Sequence, residues 1–234
     1  MPKEIRLPLS EYVEKIEEFW RLLSPAQQEH FLAHATLLSY KKNELIYQEG
    51  ENPDHLLCIV SGKIKIYRDG IGGRSQILYV LRPGQYFGYR ASMAAEPYLT
   101  AAAAFEPSVL CTLPMAVVNS IMAENTDLCH FFIRDLAQNM GFSDKRLVSL
   151  TQKHVRGRLA ESLLYLKEVY GVDATVGRLS IHLTREDLAN LSNMTTSNAI
   201  RTLSDFAEEN IVQINGKDIV ILDEEKLTRI SGFG

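Results

Sequence analysis

Apolar positions recur along this chain with different periods, and the changes of period divide it. Over residues 9–23, Leu9, Tyr12, Val13, Ile16, Phe19 and Trp20 fall at helical spacing and predict an amphipathic helix. Ser24-Pro25 then reads as an N-cap followed by a proline in the first turn, which restarts a helix. From about Leu37 the period shortens. β-prone runs at 44–47, 56–60, 63–67, 76–81 and 108–113 are separated by Gly50, Gly62, Asp69-Gly70, Gly72-Gly73 and Pro83-Gly84. Short strands punctuated in this way predict an antiparallel sandwich, roll or barrel. Lys63-Ile64-Lys65-Ile66-Tyr67 alternates polar and apolar, as a strand with one wet face does.

Helical spacing returns from 124 to about 151. Cys129, Ile133, Leu136, Met140, Ser143, Leu147 and Leu150 are spaced 4, 3, 4, 3, 4, 3, a heptad seam with one polar interruption at Ser143. Such a seam suits a dimer interface. A single helix lying on its own domain is the plainer alternative, and Leu128, Phe131, Phe132 and Val148 supply a second apolar face for that purpose. With both faces apolar, the helix is expected to pack on its own roll and on a partner at once. A further helix over 155–170 is expected to end at Gly171.

The stretch 183–221 reads as two short helices and a hairpin. Thr184 is an N-cap with Asp187 three residues on, and Leu188 and Leu191 give that helix an apolar side, with Ala189 small enough for a second helix to cross. Ser192-Asn193-Met194 makes a turn. Thr195 caps the next helix, whose Ala199, Leu203 and Phe206 lie on one stripe. Ser197, Arg201, Ser204 and Glu208 fall on the opposite face, with Thr196 and Ile200 beside it. Two β-prone runs, 211–214 and 218–221, are joined through Asn215-Gly216, a tight-hairpin dipeptide. A helix-turn-helix followed by a hairpin is a winged helix, whose second helix enters a major groove. A helical hairpin packed in a core is the alternative for the first two elements, and the wing argues against it. Contacts to DNA are expected from Thr184, Arg185, Thr195, Thr196, Ser197, Ile200, Arg201, Ser204 and Lys217.

Charge complicates that picture. The net charge is −4, and from 151 to 234 ten Lys/Arg stand against twelve Asp/Glu, a local net of −2. Phosphate binding normally uses a basic surface, so here it would rest on a few placed cations, helix N-termini and backbone amides. An apolar fraction of 46% over 234 residues is ample for packed cores. No basic segment leads into an apolar run of signal-peptide length, and the longest small-apolar stretch, 101–105, is far too short to span a bilayer. A soluble cytoplasmic protein with no membrane contact is expected. Cys58, Cys111 and Cys129 are odd in number and embedded in apolar sequence, which fits reduced buried thiols better than disulfides or a metal site.

The expected architecture is α+β: an N-terminal antiparallel β-roll as effector or sensor domain (1–123), a dimerisation helix and hinge (124–151), and a C-terminal winged helix-turn-helix (152–234). That order resembles the family of the cyclic-AMP receptor protein and the fumarate and nitrate reductase regulator (CRP/FNR), over nearly the whole chain. The residues that carry the resemblance are Gly50 and Gly62 in IYQEGENPDHLLCIVSGKIKIY, Pro83-Gly84-Gln85-Tyr86-Phe87-Gly88 at the sensor loop, Gly157-Arg158 after the hinge, and LTREDLANL…IRTL with Gly216-Lys217 in the wing. The resemblance implies a homodimeric transcription regulator with a cyclic-nucleotide-binding-like domain. Its expected partners are double-stranded DNA bearing an inverted-repeat operator, a second copy of the chain, and RNA polymerase.

The departures from the family concern its ligand. In its cyclic-nucleotide sensors a Glu after the sensor-loop glycine holds the ribose, and about ten residues later an Arg-Ser or Arg-Thr pair holds the cyclic phosphate. Tyr89 and Leu99-Thr100 stand at those places here. Losing a bidentate Arg weakens binding by about two to four powers of ten. Cyclic AMP is therefore not expected, although Arg90 is a neighbouring cation. Iron–sulfur sensors of the family use four cysteines, most near the N-terminus, and none precedes Cys58 here. Haem sensors use an axial ligand such as His in or near the sensor region, and none lies between His55 and His130. A pocket under Gly88, Tyr89, Arg90, Leu99, Thr100, Ser143 and Asp144 could take a different small molecule, or the protein is constitutively active; both readings stay open. The reader departs too: Ser197 stands where many relatives carry a base-contacting Glu, so the family's usual half-site does not transfer.

Two rival classes fare worse. A metal-dependent roll enzyme needs several His and a carboxylate at one metal, and 37–113 holds only His55; phosphate-loop and Gly-x-Ser-x-Gly signatures are also missing. A ligand-binding module that acts on a protein partner suits the acidic charge, while the polar face around Arg201 and the wing favour DNA.

Overall fold

The computed structural model describes residues 2–6, 12–70 and 72–233, and its contacts divide the chain into two compact units. The first is Met1–Arg68 with Tyr79–Met140; the second is Asp69–Leu78 with Gly141–Gly234.

The β fold consists of strands β1 (Lys3–Ile5), β2 (Thr36–Tyr40), β3 (Leu45–Tyr47), β4 (His55–Ser61), β5 (Ile64–Asp69), β6 (Ser75–Leu81), β7 (Tyr86–Phe87), β8 (Ala101–Ala104) and β9 (Ser108–Pro114), all in the first unit except Asp69 of β5 and Ser75–Leu78 of β6. They form a five-stranded sheet ordered β1-β2-β9-β4-β7 and a four-stranded sheet ordered β3-β8-β5-β6. The packing of strand β4 explains why its sequence is apolar from Leu56 to Val60. Leu57 and Ile59 enter the core between the sheets, while Leu56, Cys58 and Val60 enter a second core under the helices. Its partner β9 does the same, with Leu110 on one side and Cys111 and Leu113 on the other. Strands buried on both faces lose the polar alternation of a half-wet strand. Gly62 ends β4 at φ +87, and a Cβ there would stand 2.1 Å from Ser108 Oγ, so the turn needs glycine.

The helices of this unit are α1 (Glu17–Arg21), α2 (Pro25–His34), α3 (Tyr89–Met93), α4 (Met115–Met122) and the first half of α5 (Thr126–Gln152). The helix expected over 9–23 is broken: a 3₁₀ turn at Glu14–Ile16 precedes α1, and Leu9 lies outside the described residues. The tighter turn brings Ile16 and Phe19 inward together, at 1% and 0% exposure. Ser24 caps α2 reciprocally with Gln27, and Pro25 occupies the first turn.

The second unit contains the rest of α5, α6 (Val155–Tyr170), α7 (Arg185–Leu191), α8 (Thr196–Glu208), the hairpin β10 (Val212–Asn215) and β11 (Asp218–Ile221), and α9 (Glu224–Phe233). Helix α6 ends where Gly171 takes φ +71. Its Leu159, Leu163 and Leu166, each fully buried, form the floor against which α7, α8 and α9 pack. Among the described residues no helix is long and apolar enough to cross a membrane.

Candidate nucleic-acid interface and sensor site

The reader is assembled from two capped helices. Thr184 Oγ1 accepts from Asp187 N at 3.0 Å and donates to the Asp187 carboxylate at 2.7 Å, closing the start of α7. Thr195 Oγ1 accepts from Asn198 N at 3.2 Å at the start of α8. Ala189 is buried where the two helices meet, and Asn193 turns the chain between them at φ +49. Ala199, Leu203 and Phe206 are buried, as the stripe predicts, and Thr202 joins them.

The opposite face of α8 is open. Thr195, Thr196, Ser197, Ile200, Arg201, Ser204 and Glu208 are exposed, and so is Asp205. Ile200 is 47% exposed, an apolar side chain left about half open on that face. Arg201 Nη2 donates to Asn198 Oδ1 at 3.0 Å, so the preceding turn steadies the guanidinium. At the other end of the motif, Arg185 Nη2 donates to Gly216 O at 2.7 Å and ties α7 to the tip of the hairpin.

The hairpin turn falls one residue later than expected. Asn215 pairs with Asp218, so Gly216 and Lys217 are its two central residues, and Gly216 alone takes positive φ, +61. Glycine first with an ordinary residue second is the II′ arrangement. The shift puts Lys217, exposed, at the tip of the wing.

Pairing takes up many of the unit's cations away from α8. Arg156 and Lys226 bond Glu209, Lys167 bonds Glu224, Lys153 reaches Glu161 at 3.3 Å, and Arg178 with His182 brackets Asp218 at 3.1 and 2.7 Å. Arg185, Arg201 and Lys217 have no carboxylate partner among the described residues. Three of the unit's cations without a carboxylate partner, Arg185, Arg201 and Lys217, thus lie on the reader and wing, while Arg229 on α9 is another.

Sequence reasoning missed what holds the reader from behind. Arg158 donates through Nε to Ser192 O and through Nη2 to Asn193 O, both at 3.1 Å, and through Nη1 to Lys153 O at 2.9 Å. Arg146 donates to Leu191 O at 2.9 Å and Ile77 O at 3.3 Å. These guanidinium groups satisfy carbonyls that the end of α7 leaves without helical partners. Gly157-Arg158 gave a family signal for the first; nothing in the pattern singled out Arg146.

Along α5 the seam positions Ile133, Met140 and Leu147 are 61%, 67% and 63% exposed in the single chain. Leu128 and Phe132 turn inward and are buried, with Phe131 half-buried. Val148, expected on that inward face, is instead 52% exposed, because Ser149 takes the buried position and donates to Glu161. Cys129, Leu136 and Leu150 are half-buried and Ser143 is exposed.

The residues of the expected effector pocket go to different places. Gly88 takes φ +88, and a Cβ there would meet His55 O at 2.9 Å. Tyr89 is buried against Phe132 and donates its hydroxyl to Asp135. Arg90 bonds Glu96 at 2.7 Å. Leu99 is 46% exposed, and Thr100 is hydrogen-bonded with Tyr47. Ser143 and Asp144 belong to the second unit, both exposed. Cys58 and Cys111 face each other across β4 and β9, free and buried, and burial pushes the Cys111 thiol up to about 12.

Comparison with known proteins gives these features a family. Residues 37–125 match the cyclic nucleotide-binding domain and residues 157–230 the Crp-like helix-turn-helix domain. A CRP-like cAMP-activated global transcriptional regulator of Mycobacterium tuberculosis is 27% identical over 82% of this chain and 86% of its own. The regulatory protein HlyX of Actinobacillus pleuropneumoniae is 25% identical over 80% of this chain and 78% of its own. The solved structure of FixK2 from Bradyrhizobium japonicum matches with a TM-score of 0.75 at 22% identity, over 84% of this chain and 96% of that one. A cyclic nucleotide-binding domain and a Crp-like helix-turn-helix domain, matched in that order on either side of the long helix, make the chain a transcription regulator of the CRP/FNR family and not an enzyme.

Proposed function

We propose that the chain acts as a homodimer that binds an inverted-repeat DNA operator through α8 and the wing, and that cyclic AMP is not its effector. The observation that carries the DNA reading is the open face of α8, where Arg201 stands among Thr196, Ser197, Ile200 and Ser204 with no carboxylate partner among the described residues. A groove-reading helix needs such a face, and its N-terminal residues are the ones that meet base edges. Titrating binding to random duplex DNA with salt tests it, because affinity for phosphates falls steeply as salt rises. Salt-independent binding, or none, points to a protein partner instead.

The effector reading rests on the sensor loop. The relative from Mycobacterium tuberculosis is named as cAMP-activated. In this chain the residues at the ribose and phosphate positions do not suit that ligand: Tyr89 is turned to Asp135, Leu99 is apolar, and the guanidinium of Arg90 is occupied by Glu96. An anion brought there meets no unpartnered cation on those residues. Iron–sulfur and haem sensing are set aside on the three cysteines and the missing histidine of the sensor region. A different small molecule or constitutive activity remains. Calorimetry with cyclic AMP is expected to give no heat at micromolar concentration, and a micromolar dissociation constant contradicts the reading.

A further inference from the structure

The first unit contains a cavity of about 200 Å³ that the sensor-loop residues do not line. Tyr40, Tyr47 and Tyr98 form its aromatic part, at 6%, 7% and 6% exposure, and the last two stack with centroids 3.7 Å apart. Leu38, Ile46 and Leu57 add apolar wall, and Glu51, Asn52, Asp54 and His55 stand exposed at the mouth. None of the described residues lining it is Lys or Arg. One Glu51 oxygen accepts from Gln48 N at 3.0 Å; its other oxygen and the Asp54 carboxylate have no partner among the described residues. Arg90, whose charge reaches Tyr47, is already paired with Glu96. Tyr98 separates this space from the sensor loop, since its hydroxyl stands 3.2 Å from where a Cβ on Gly88 would be.

We infer that this cavity binds a small organic cation, an amine or quaternary ammonium group carried on a short hydrocarbon. Aromatic faces attract a cation through the ring quadrupole, and two carboxylates at the mouth, neither paired with a cation among the described residues, supply opposite charge. The apolar wall accommodates the hydrocarbon. At about 20–30 Å³ per non-hydrogen atom the space holds a ligand of roughly seven to ten such atoms. The same wall and charge disfavour an anion such as a cyclic nucleotide. The inference adds a ligand class to the effector reading above, and it is tested by binding alone, so its failure leaves DNA recognition untouched.

Calorimetry on the full chain with choline, and with its neutral isostere 3,3-dimethylbutan-1-ol, separates charge recognition from simple apolar filling. Choline is expected to bind with a dissociation constant below about 1 mM and the alcohol at least about tenfold more weakly. Glu51→Gln with Asp54→Asn, both at exposed positions, is expected to weaken choline at least about tenfold with an unchanged melting temperature. Tyr98→Phe, which keeps the ring face, is expected to retain binding. No heat with choline at about 10 mM, equal binding of the alcohol, or an unaffected double variant each overturns the inference.

Discussion

Charging the exposed seam of α5 should separate the subunits. Ile133, Met140 and Leu147 are each about three-fifths exposed in the single chain, at 61%, 67% and 63%. Full burial of such a side chain contributes about 1.5–3 kcal/mol, so covering the remaining exposed part recovers about 1–2 kcal/mol each, or about 6–12 kcal/mol for the six of a symmetric pair. Association costs of the order of 4–15 kcal/mol in lost freedom, so this seam supplies a large share of what a dimer needs. Ile133→Glu with Leu147→Glu removes four of those six contributions and buries four like charges about the two-fold axis. Leu136 is a poorer target, because it is half-buried against the core of its own unit and charging it would also destabilise the fold. Sedimentation velocity at micromolar concentration should give a dimer for the native chain and a monomer for the double variant, with the same melting transition for each unit. A native monomer, or a double variant that stays dimeric, refutes the reasoning.

One further outcome concerns Arg201 and another the buried tyrosines. Arg201→Ala should cost about 1–3 kcal/mol per half-site and relax the preference at one guanine of each half, because the guanidinium fork matches O6 and N7. If Arg201 clamps a phosphate instead, affinity falls alike on all sequences and the salt slope drops by about one per subunit; titrations on single-base operator variants distinguish the two. Burial pushes Tyr47 up to about 12 and raises Tyr89 and Tyr98 as well, above an ordinary value of 10.0. The folded state therefore favours the neutral phenols. Their contribution to stability is complete below about pH 10 and is lost as pH climbs toward the folded values. Melting temperatures of the first unit should fall between about pH 10 and 12, and a flat or rising profile there contradicts the assignment.

Much of this was legible in the pattern. The heptad run of α5, the stop at Gly171 and the caps at Thr184 and Thr195 each combine local chemistry with a period of 3.6, and local chemistry survives folding. Other elements depend on distant partners. Strand β8 is four consecutive alanines, poor strand formers with no alternation, yet all four are buried between β3 and β5, where small side chains suit close sheet packing. The break in the helix over 14–16 and the outward Val148 likewise follow from which neighbour covers which face. Helix α9 passed unread because Leu227 is its one fully buried side chain among the described residues, too few to mark a stripe. The cavity residues come from 38–57, 98 and 112, a set that only the sheet topology collects.

The central claim is that two copies of this chain read DNA through paired α8 helices. Mapping the DNA bound by the chain in cells, then measuring affinity on the recovered site, tests it most directly. A two-fold dimer places its readers in successive major grooves about 34 Å apart, so the account predicts an inverted repeat with half-site centres about one helical turn apart. Moving one half-site by about five base pairs puts it on the opposite face of the duplex and should lower affinity toward the non-specific level. Recovered DNA with no shared repeat, or affinity indifferent to the half-site spacing, would contradict it.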